Sequence, residues 1–246
     1  MFKKSMIMML VFFSIVAFQV SAQYQSRSYI FTSTFEDDSV GTIPKGWRSV
    51  YPLTDQVQIS VTADEDKVSP FTDIFPQGSK SVLCSDEDST KSQPGASDKK
   101  NSLIFNKDIK TDPNADFFLS FDFKILRGGN MVLFLFGPGN QYLTRVRIVE
   151  NRPLEIRAAD GQFDKPNLVT KRGQWYRLQL IINRTEGTMD ITWQTEDGTI
   201  QTFEGSKLLN PMAGKAIEKV WFQSTVGDGS ETGSWVIDNV FAQELR

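Results

Sequence analysis

Apolar and polar residues alternate with a period of two through most of this chain, and no stretch sustains a helical period. The alternation is clearest at Phe117–Ile125. Phe117, Leu119, Phe121, Phe123 and Ile125 fall on one face of a strand, Ser120, Asp122 and Lys124 on the other. Met131–Phe136 is apolar at every position, the pattern of a strand covered on both faces. Trp175–Phe203 predicts a three-stranded meander. Tyr176, Leu178, Leu180 and Ile182 share a face, and the loop Arg184-Thr185-Glu186-Gly187 pairs Asn183 with Thr188. That register sets Ile182 opposite Met189, Leu180 opposite Ile191 and Leu178 opposite Trp193. A second turn at Asp197-Gly198, read as a type I′ hairpin, sets Thr195 opposite Ile200 on the same apolar face.

Further strands are predicted at Tyr29–Phe35, Val57–Thr62, Ser79–Ser85, Ser102–Phe105, Val220–Thr225 and Trp235–Gln243. Tyr142–Val149 and Leu154–Ala158 form a hairpin. A three-residue loop there pairs Glu150 with Leu154, Ile148 with Ile156 and Val146 with Ala158. Lys207–Ala216 is the one stretch with room for a helical turn, limited by Pro211. Residues 86–100, DEDSTKSQPGASDKK, hold no aromatic or large aliphatic residue and are expected to be a mobile solvated loop. About a dozen short strands separated by turn signals predict an all-β sandwich or barrel.

Met1–Ala22 has the form of a secretory signal peptide, with Lys3 and Lys4, an apolar run Ile7–Phe18 and a small-residue end Val20-Ser21-Ala22. Its removal leaves residues 23–246, one domain of 224 residues, exported to the periplasm or the exterior. It also removes two lysines, leaving 25 basic against 30 acidic residues, a net charge of −5. That balance disfavours nucleic acid as a partner, and nothing later in the chain is long and apolar enough for a membrane span. Cys84 is the only cysteine, so no intrachain disulfide forms, and its place in a strand reads as a small buried hydrophobe. The disulfide-free chain behind a short leader resembles a bacterial export product. The sequon at Asn183 lies on a hairpin corner, where a turn asparagine explains it equally.

Three pieces of sequence resemble the concanavalin A-like (laminin G-like) jelly-roll superfamily and its carbohydrate-binding modules: the opening TFEDDSVGTIPKGW, the segment QWYRLQLIINRTEGTMDITWQ and the close GSWVIDNVFAQ. The resemblance implies a two-sheet antiparallel β-sandwich, a jelly roll, with its terminal strands adjacent. It also implies a structural calcium between the first and last strands. Glu36 and Asp238 match that ligand pattern, and Asp38 matches more weakly. The alternative for Asp238 is a carboxylate bonded to backbone amides.

The superfamily contains lectins, binding modules, glycosidases and lyases, so the fold does not choose the activity. The chain has no histidine, which removes Ser-His and Cys-His nucleophiles and imidazole zinc sites. The Glu-x-Asp-x-x-Glu strand of retaining jelly-roll glucanases begins only at Glu36-Asp37-Asp38, where Gly41 stands in place of the second glutamate. Alginate-lyase-like Arg-Ser/Thr-Glu-Leu-Arg and Gln-Ile-His stretches are missing.

The leading reading is a non-catalytic glycan-binding module, with a lyase or hydrolase using a non-standard acid pair, or a protein-interaction domain, as alternatives. Sugar platforms are sought among the tryptophans. Trp193, Trp221 and Trp235 read as core, and Trp47 and Trp175 as the freer pair, with core packing the alternative. The hairpin register sets Arg147 opposite Arg157, with Arg145 two residues along and Glu155 diagonal. This is either a surface Arg-Glu cluster or a site for an acidic glycan, bound through guanidinium forks.

Overall fold

The structure, a computed structural model, describes residues 27–50, 53, 57–86, 103–128, 130–157, 161–209, 215–225 and 233–245. The expected leader at residues 1–22, nearly all of the polar loop 86–100 and the middle of the Lys207–Ala216 stretch lie outside the described residues. Two antiparallel sheets face one another. Sheet A runs β13 (Ile200–Lys207), β12 (Thr188–Thr195), β11 (Trp175–Asn183), β6 (Asp116–Arg127), β15 (Gly233–Leu245), β4 (Ser81–Asp86) and β3 (Val57–Thr62). β1 (Arg27–Ser33) pairs with the C-terminal half of β15, so the first and last strands are neighbours. Sheet B runs β10 (Phe163–Asp164), β9 (Glu155–Arg157), β8 (Tyr142–Val149), β7 (Asn130–Phe136), β14 (Lys219–Thr225), β5 (Ile104–Asp108) and β2 (Arg48–Ser49). The only helical pieces among the described residues are 3-10 turns at Glu65–Lys67 and Pro138–Asn140.

The period-two pattern builds the core between the sheets. Phe117, Leu119, Phe121 and Phe123 of β6 are fully buried, as are Leu178, Leu180 and Ile182 of β11. They meet Leu133 and Leu135 of β7, Val146 and Ile156 of β8 and β9, and Val220 and Phe222 of β14. Cys84 is buried and free. The β11–β12 register is the predicted one, Asn183↔Thr188 through Leu178↔Trp193.

The β12–β13 register differs from the prediction by one residue: Gln194 faces Ile200. Thr195 closes a three-residue loop onto Thr199, with Gly198 at φ 84° as the left-handed residue. A one-residue slip sends each side chain to the opposite face, so Ile200 is 60% exposed. Alternation from there carries Phe203 to the core opposite Ile191, and a bulge beside Gly205 (φ 74°) then sets Ser206 opposite Met189. The third strand of the meander is therefore an exposed edge.

The outer faces of the two sheets differ. Residues 63–80 lie as a strap over sheet A, where Phe71 packs with Trp175 and Val236, and Phe75 meets Phe241. On sheet B, Phe134, Phe136 and Trp221 are only half-buried. The expectation that Met131–Phe136 is covered on both faces holds at Val132 and is corrected beyond it: Leu133 and Leu135 enter the core, and Phe134 and Phe136 line an accessible surface.

Candidate functional site

Strand pairing aligns one residue from each strand of sheet B into a single outer row. Arg48 of β2 faces Asn106 of β5, which faces Trp221 of β14, which faces Phe134 of β7, which faces Arg145 of β8. Continuing the Val146↔Ile156 and Arg147↔Glu155 register brings Arg145 level with Arg157 of β9, and Arg157 faces Phe163 of β10. Seven strands at about 4.8 Å spacing make this row roughly 29 Å long. It is long enough for several sugar rings laid across the strands. The adjoining row carries Asp108, Lys219, Phe136 and Tyr142.

The aromatic side chains form a continuous apolar floor. Phe134 and Phe136 lie 5.8 Å apart between centroids, Phe136 and Trp221 5.1 Å, and Tyr142 meets both phenylalanines edge-on. A cleft of about 580 Å³ opens at one end of the row, walled by Arg48, Asn106, Phe136, Asn140, Lys219 and Trp221. Trp221 Nε1 is buried there with no hydrogen-bond partner among the described residues, a donor whose desolvation costs ~1–3 kcal/mol until an acceptor reaches it. Asn106 holds its orientation through Arg48, which donates from Nε to Asn106 Oδ1 at 3.1 Å.

Cations border this floor. Arg48 pairs with Asp108, and Lys219 Nζ is 4.0 Å from the same carboxylate. Glu155 takes Arg147 at 3.2 Å and Lys165 at 3.0 Å. Burial works against the Glu155 charge, but the Lys165 hydrogen bond and the Arg147 and Lys165 charges outweigh it and hold the carboxyl below its usual range. The Arg145 guanidinium carbon stands 5.9 Å from the Phe134 centroid. Burial first, then the charges of Arg147 and Arg157, push the Arg145 proton affinity down.

The predicted arginines therefore come together on one face, in a corrected register. Arg147 faces Glu155 directly, and Arg145, not Arg147, comes level with Arg157. The loop between β8 and β9 is longer than the predicted three residues because its flanks pair elsewhere, Glu150 with Thr170 and Pro153 with Val169. The slip is of two residues, so it preserves which face each side chain occupies.

The tryptophans redistribute. Trp47 is 6% exposed and stacks on Phe105 at 4.3 Å, with Nε1 donating to Ser33 Oγ. Trp175 is 4% exposed beneath the strap. Neither ring has a free face for a sugar, which corrects the expectation placed on them. Trp221, read as core, is instead half-buried on the outer face of sheet B. The signal was alternation: Val220 and Phe222 point inward, and Trp221 shares its face with Lys219 and Gln223.

The carboxylates expected to hold calcium do not fit a metal. Among the described residues no group of three or more metal-ligating side chains converges. Glu36 already accepts from Ser79 N, Ser79 Oγ and Lys80 N at 2.7–2.9 Å. A side chain at Gly78 would stand 2.6 Å from Glu36 Oε1, so only glycine allows that approach. Asp38 Oδ1 accepts from Lys45 N. The Lys80 ammonium donates to the carbonyls of Glu36 at 2.6 Å and Asp38 at 2.9 Å, supplying from the chain itself the positive charge these oxygens face. Lys80→Met is expected to cost about 2 kcal/mol, the scale of a hydrogen bond to a charged group. The parent's thermal unfolding is expected to coincide in calcium and in chelator, and a rise in Tm with calcium would overturn this assignment.

Asp238 sits instead in a buried network under the strap. It is level with Asp122 across β15 and β6, and Asp122 is level with Arg177 of β11. Arg177 holds Asp122 with two bonds, Nε–Oδ1 at 2.6 Å and Nη2–Oδ2 at 3.0 Å, and pairs with Asp73 through Nη1. Ser69 joins the two aspartates, donating from Oγ to Asp122 at 2.7 Å and from N to Asp238 at 3.0 Å. Asn239 donates to Asp122 from Nδ2 and to Asp238 from its backbone. Burial first pushes Asp238 up to about 8, with the Asp122 and Glu36 charges adding to it against the two amides. The alternative reading of Asp238 as an amide-bonded carboxylate is the one the geometry fits.

No protein-family model and no curated protein matches the sequence. Solved structures match the fold. A sialidase superposes with a TM-score of 0.58 at 11% identity over 89% of this chain, and this chain spans 18% of that protein. The lectin UEA-II complexed with galactose gives 0.56 at 12% identity, over 89% of this chain and all of the lectin. The PL-14 alginate lyase from Aplysia kurodai gives 0.53 at 10% identity, over 87% and 98%. The chain has the concanavalin A-like jelly-roll fold, as the sequence resemblance implied.

Proposed function

We propose that this is an exported, non-catalytic carbohydrate-binding protein that takes an acidic glycan across the outer face of sheet B. The observation that carries the reading is the cross-strand row. It sets a half-buried aromatic floor, Trp221 and Phe134, between guanidinium groups that suit carboxylate or sulfate. A pyranose ring has an apolar face and a rim of hydroxyls, which such a floor with flanking Asn106 and arginine donors complements. The likeness to a lectin and an alginate lyase supports a carbohydrate as ligand. Binding, rather than turnover, is what this chemistry supports: the carboxylates of the face, Asp108 and Glu155, are engaged by cations, and the chain has no imidazole. Structural calcium forms no part of the reading.

Trp221→Ala tests it. Removing a central aromatic anchor is expected to weaken glycan binding by about 10- to 30-fold, or ~1.4–2 kcal/mol. The melting temperature should stay close to the parent's, because the ring lies outside the core. Affinity electrophoresis in gels containing neutral and acidic polysaccharides reads the effect. Unchanged retention of the variant in each gel that retards the parent would refute the site.

A further inference from the structure

We infer that this face reads a sparsely charged glycan, in which acidic sugars alternate with neutral ones, through one anion subsite formed by Arg145 and Arg157. The inference rests on the glycan reading above and specifies the ligand's charge pattern.

The two carboxylates of the face take two cations each and leave two arginines over. Asp108 answers Arg48 and Lys219, leaving one net positive charge at the cleft end. Glu155 answers Arg147 and Lys165 at the other end. Arg145 and Arg157 have no carboxylate partner among the described residues, and both Nε atoms are buried without a hydrogen-bond acceptor. They are level on neighbouring strands, where like charges repel. An anion lying between them accepts from both forks and removes that repulsion. Of the groups a glycan carries, a carboxylate or a sulfate supplies such an anion.

The next positions along the row carry no charge. From Arg145 the row passes Phe134, Trp221 and Asn106, about 14 Å at the spacing of strands. A polymer with a carboxylate on each ring must place anions over the Phe134 and Trp221 faces and beside Asp108. Desolvating them over the rings brings no charged partner, and beside Asp108 the Arg48 and Lys219 cations are already engaged by its carboxylate. A polymer whose acidic sugar is followed by a neutral one avoids both costs. Asp108 is thereby a specificity residue that withholds Arg48 and Lys219 from a second ligand anion, and its side chain is 55% exposed, so its replacement leaves the core untouched.

The test titrates the parent, Asp108→Asn and Arg145→Gln/Arg157→Gln with three polymers. These are hyaluronan, which alternates a uronate with an uncharged amino sugar, alginate, with a uronate at each position, and a neutral β-glucan. The parent is expected to prefer hyaluronan over alginate by about fivefold or more at matched ionic strength, the scale of one close charge pair in an interface. Asp108→Asn should raise alginate affinity by roughly 3- to 10-fold and leave hyaluronan within about twofold. The arginine double variant should lower hyaluronan to the level of the neutral glucan. A parent that prefers alginate, or an Asp108→Asn variant with the parent's preference, overturns the inference while the glycan reading stands. Retention in the neutral glucan alone overturns the inference and the acidic ligand of the proposed function, leaving a neutral-glycan site. Failure of the parent to bind any of the three overturns both.

Discussion

Arg177→Met is expected to destabilise the protein by about 3–5 kcal/mol, the cost of leaving one member of a buried ion pair uncompensated. Arg177 is 1% exposed and Asp122 is fully buried, so solvent does not replace the lost partner. The guanidinium makes two bonds to Asp122, one to Asp73, and lies 4.8 Å from the Phe71 ring centroid. Methionine matches much of its volume, so the effect isolates charge rather than a cavity. For a domain of this size the loss amounts to a fall in Tm of roughly 6–20 °C. Asp122→Asn in the same background removes the stranded charge and keeps one acceptor for Ser69 or Asn239. It should recover about half of the loss in urea unfolding. A single-variant cost under about 1 kcal/mol, the range of surface pairs, would show that the pair is hydrated, and a double variant worse than the sum of its parts would show that charge is not the cause. Glycan retention of any folded variant should match the parent, because the network lies on the opposite sheet.

The second large effect is a fall in stability as pH rises toward 8. Asp238 has an ordinary value of 3.8 and is pushed up to about 8 by burial, then by the opposed Asp122. The folded state therefore binds a proton that the unfolded state has released. The stabilisation is complete below pH ~4 and is lost progressively until the pH passes about 8. The ceiling, at about 1.4 kcal/mol per unit, is roughly 6 kcal/mol, and relaxation around the new charge should reduce the observed loss to about 2–4 kcal/mol.

Glu36 and Glu155 act with the opposite sign. Both are held below their usual range, so their contribution is present above pH ~4.5 and falls away only in acid. Asp122, also raised by burial, acts in the same sense as Asp238, so the rise in pH toward 8 reports this buried aspartate pair. Asp238→Asn should flatten the curve there. The amide offers one oxygen where the carboxyl offers two, to Ser69 N and Asn239 N. The variant should therefore start about 1–3 kcal/mol below the parent at pH 5 and converge with it as pH rises. Denaturant unfolding at pH 5, 6.5 and 8 measures this. An equal slope in both proteins assigns the pH dependence elsewhere.

Local pattern carried most of the fold. The alternation at Phe117–Ile125 and Tyr176–Ile182 placed the core, because a period of two commits each side chain to a face wherever the strand lies. The loop after Asn183 set the β11–β12 register correctly, since its four residues leave one closing pair. At Asp197-Gly198 the same reasoning failed by a residue. A two-residue turn and a three-residue turn with a left-handed glycine share their sequence signals and differ only in how the chain closes.

Side-chain chemistry could be read from sequence less far than strand position. Arg145, Arg147 and Arg157 were placed on one outward face by parity, and the structure keeps them there. Which of them meets Glu155 depended on bridges from Glu150 and Pro153 to residues 169 and 170, contacts no hairpin rule contains. Trp221 was legible in its alternation with Val220 and Phe222. Asp122, by contrast, stood on the outward, polar face of its strand, yet it is buried. The sequence by itself determined which residues share a face of each strand, because that follows from backbone geometry alone. Only the tertiary structure decided which outer face is covered. The strap at 63–80 settles over sheet A, where Phe71 and Phe75 find apolar partners and Ser69 and Asp73 satisfy the buried charges, and the aromatic row of sheet B is left accessible.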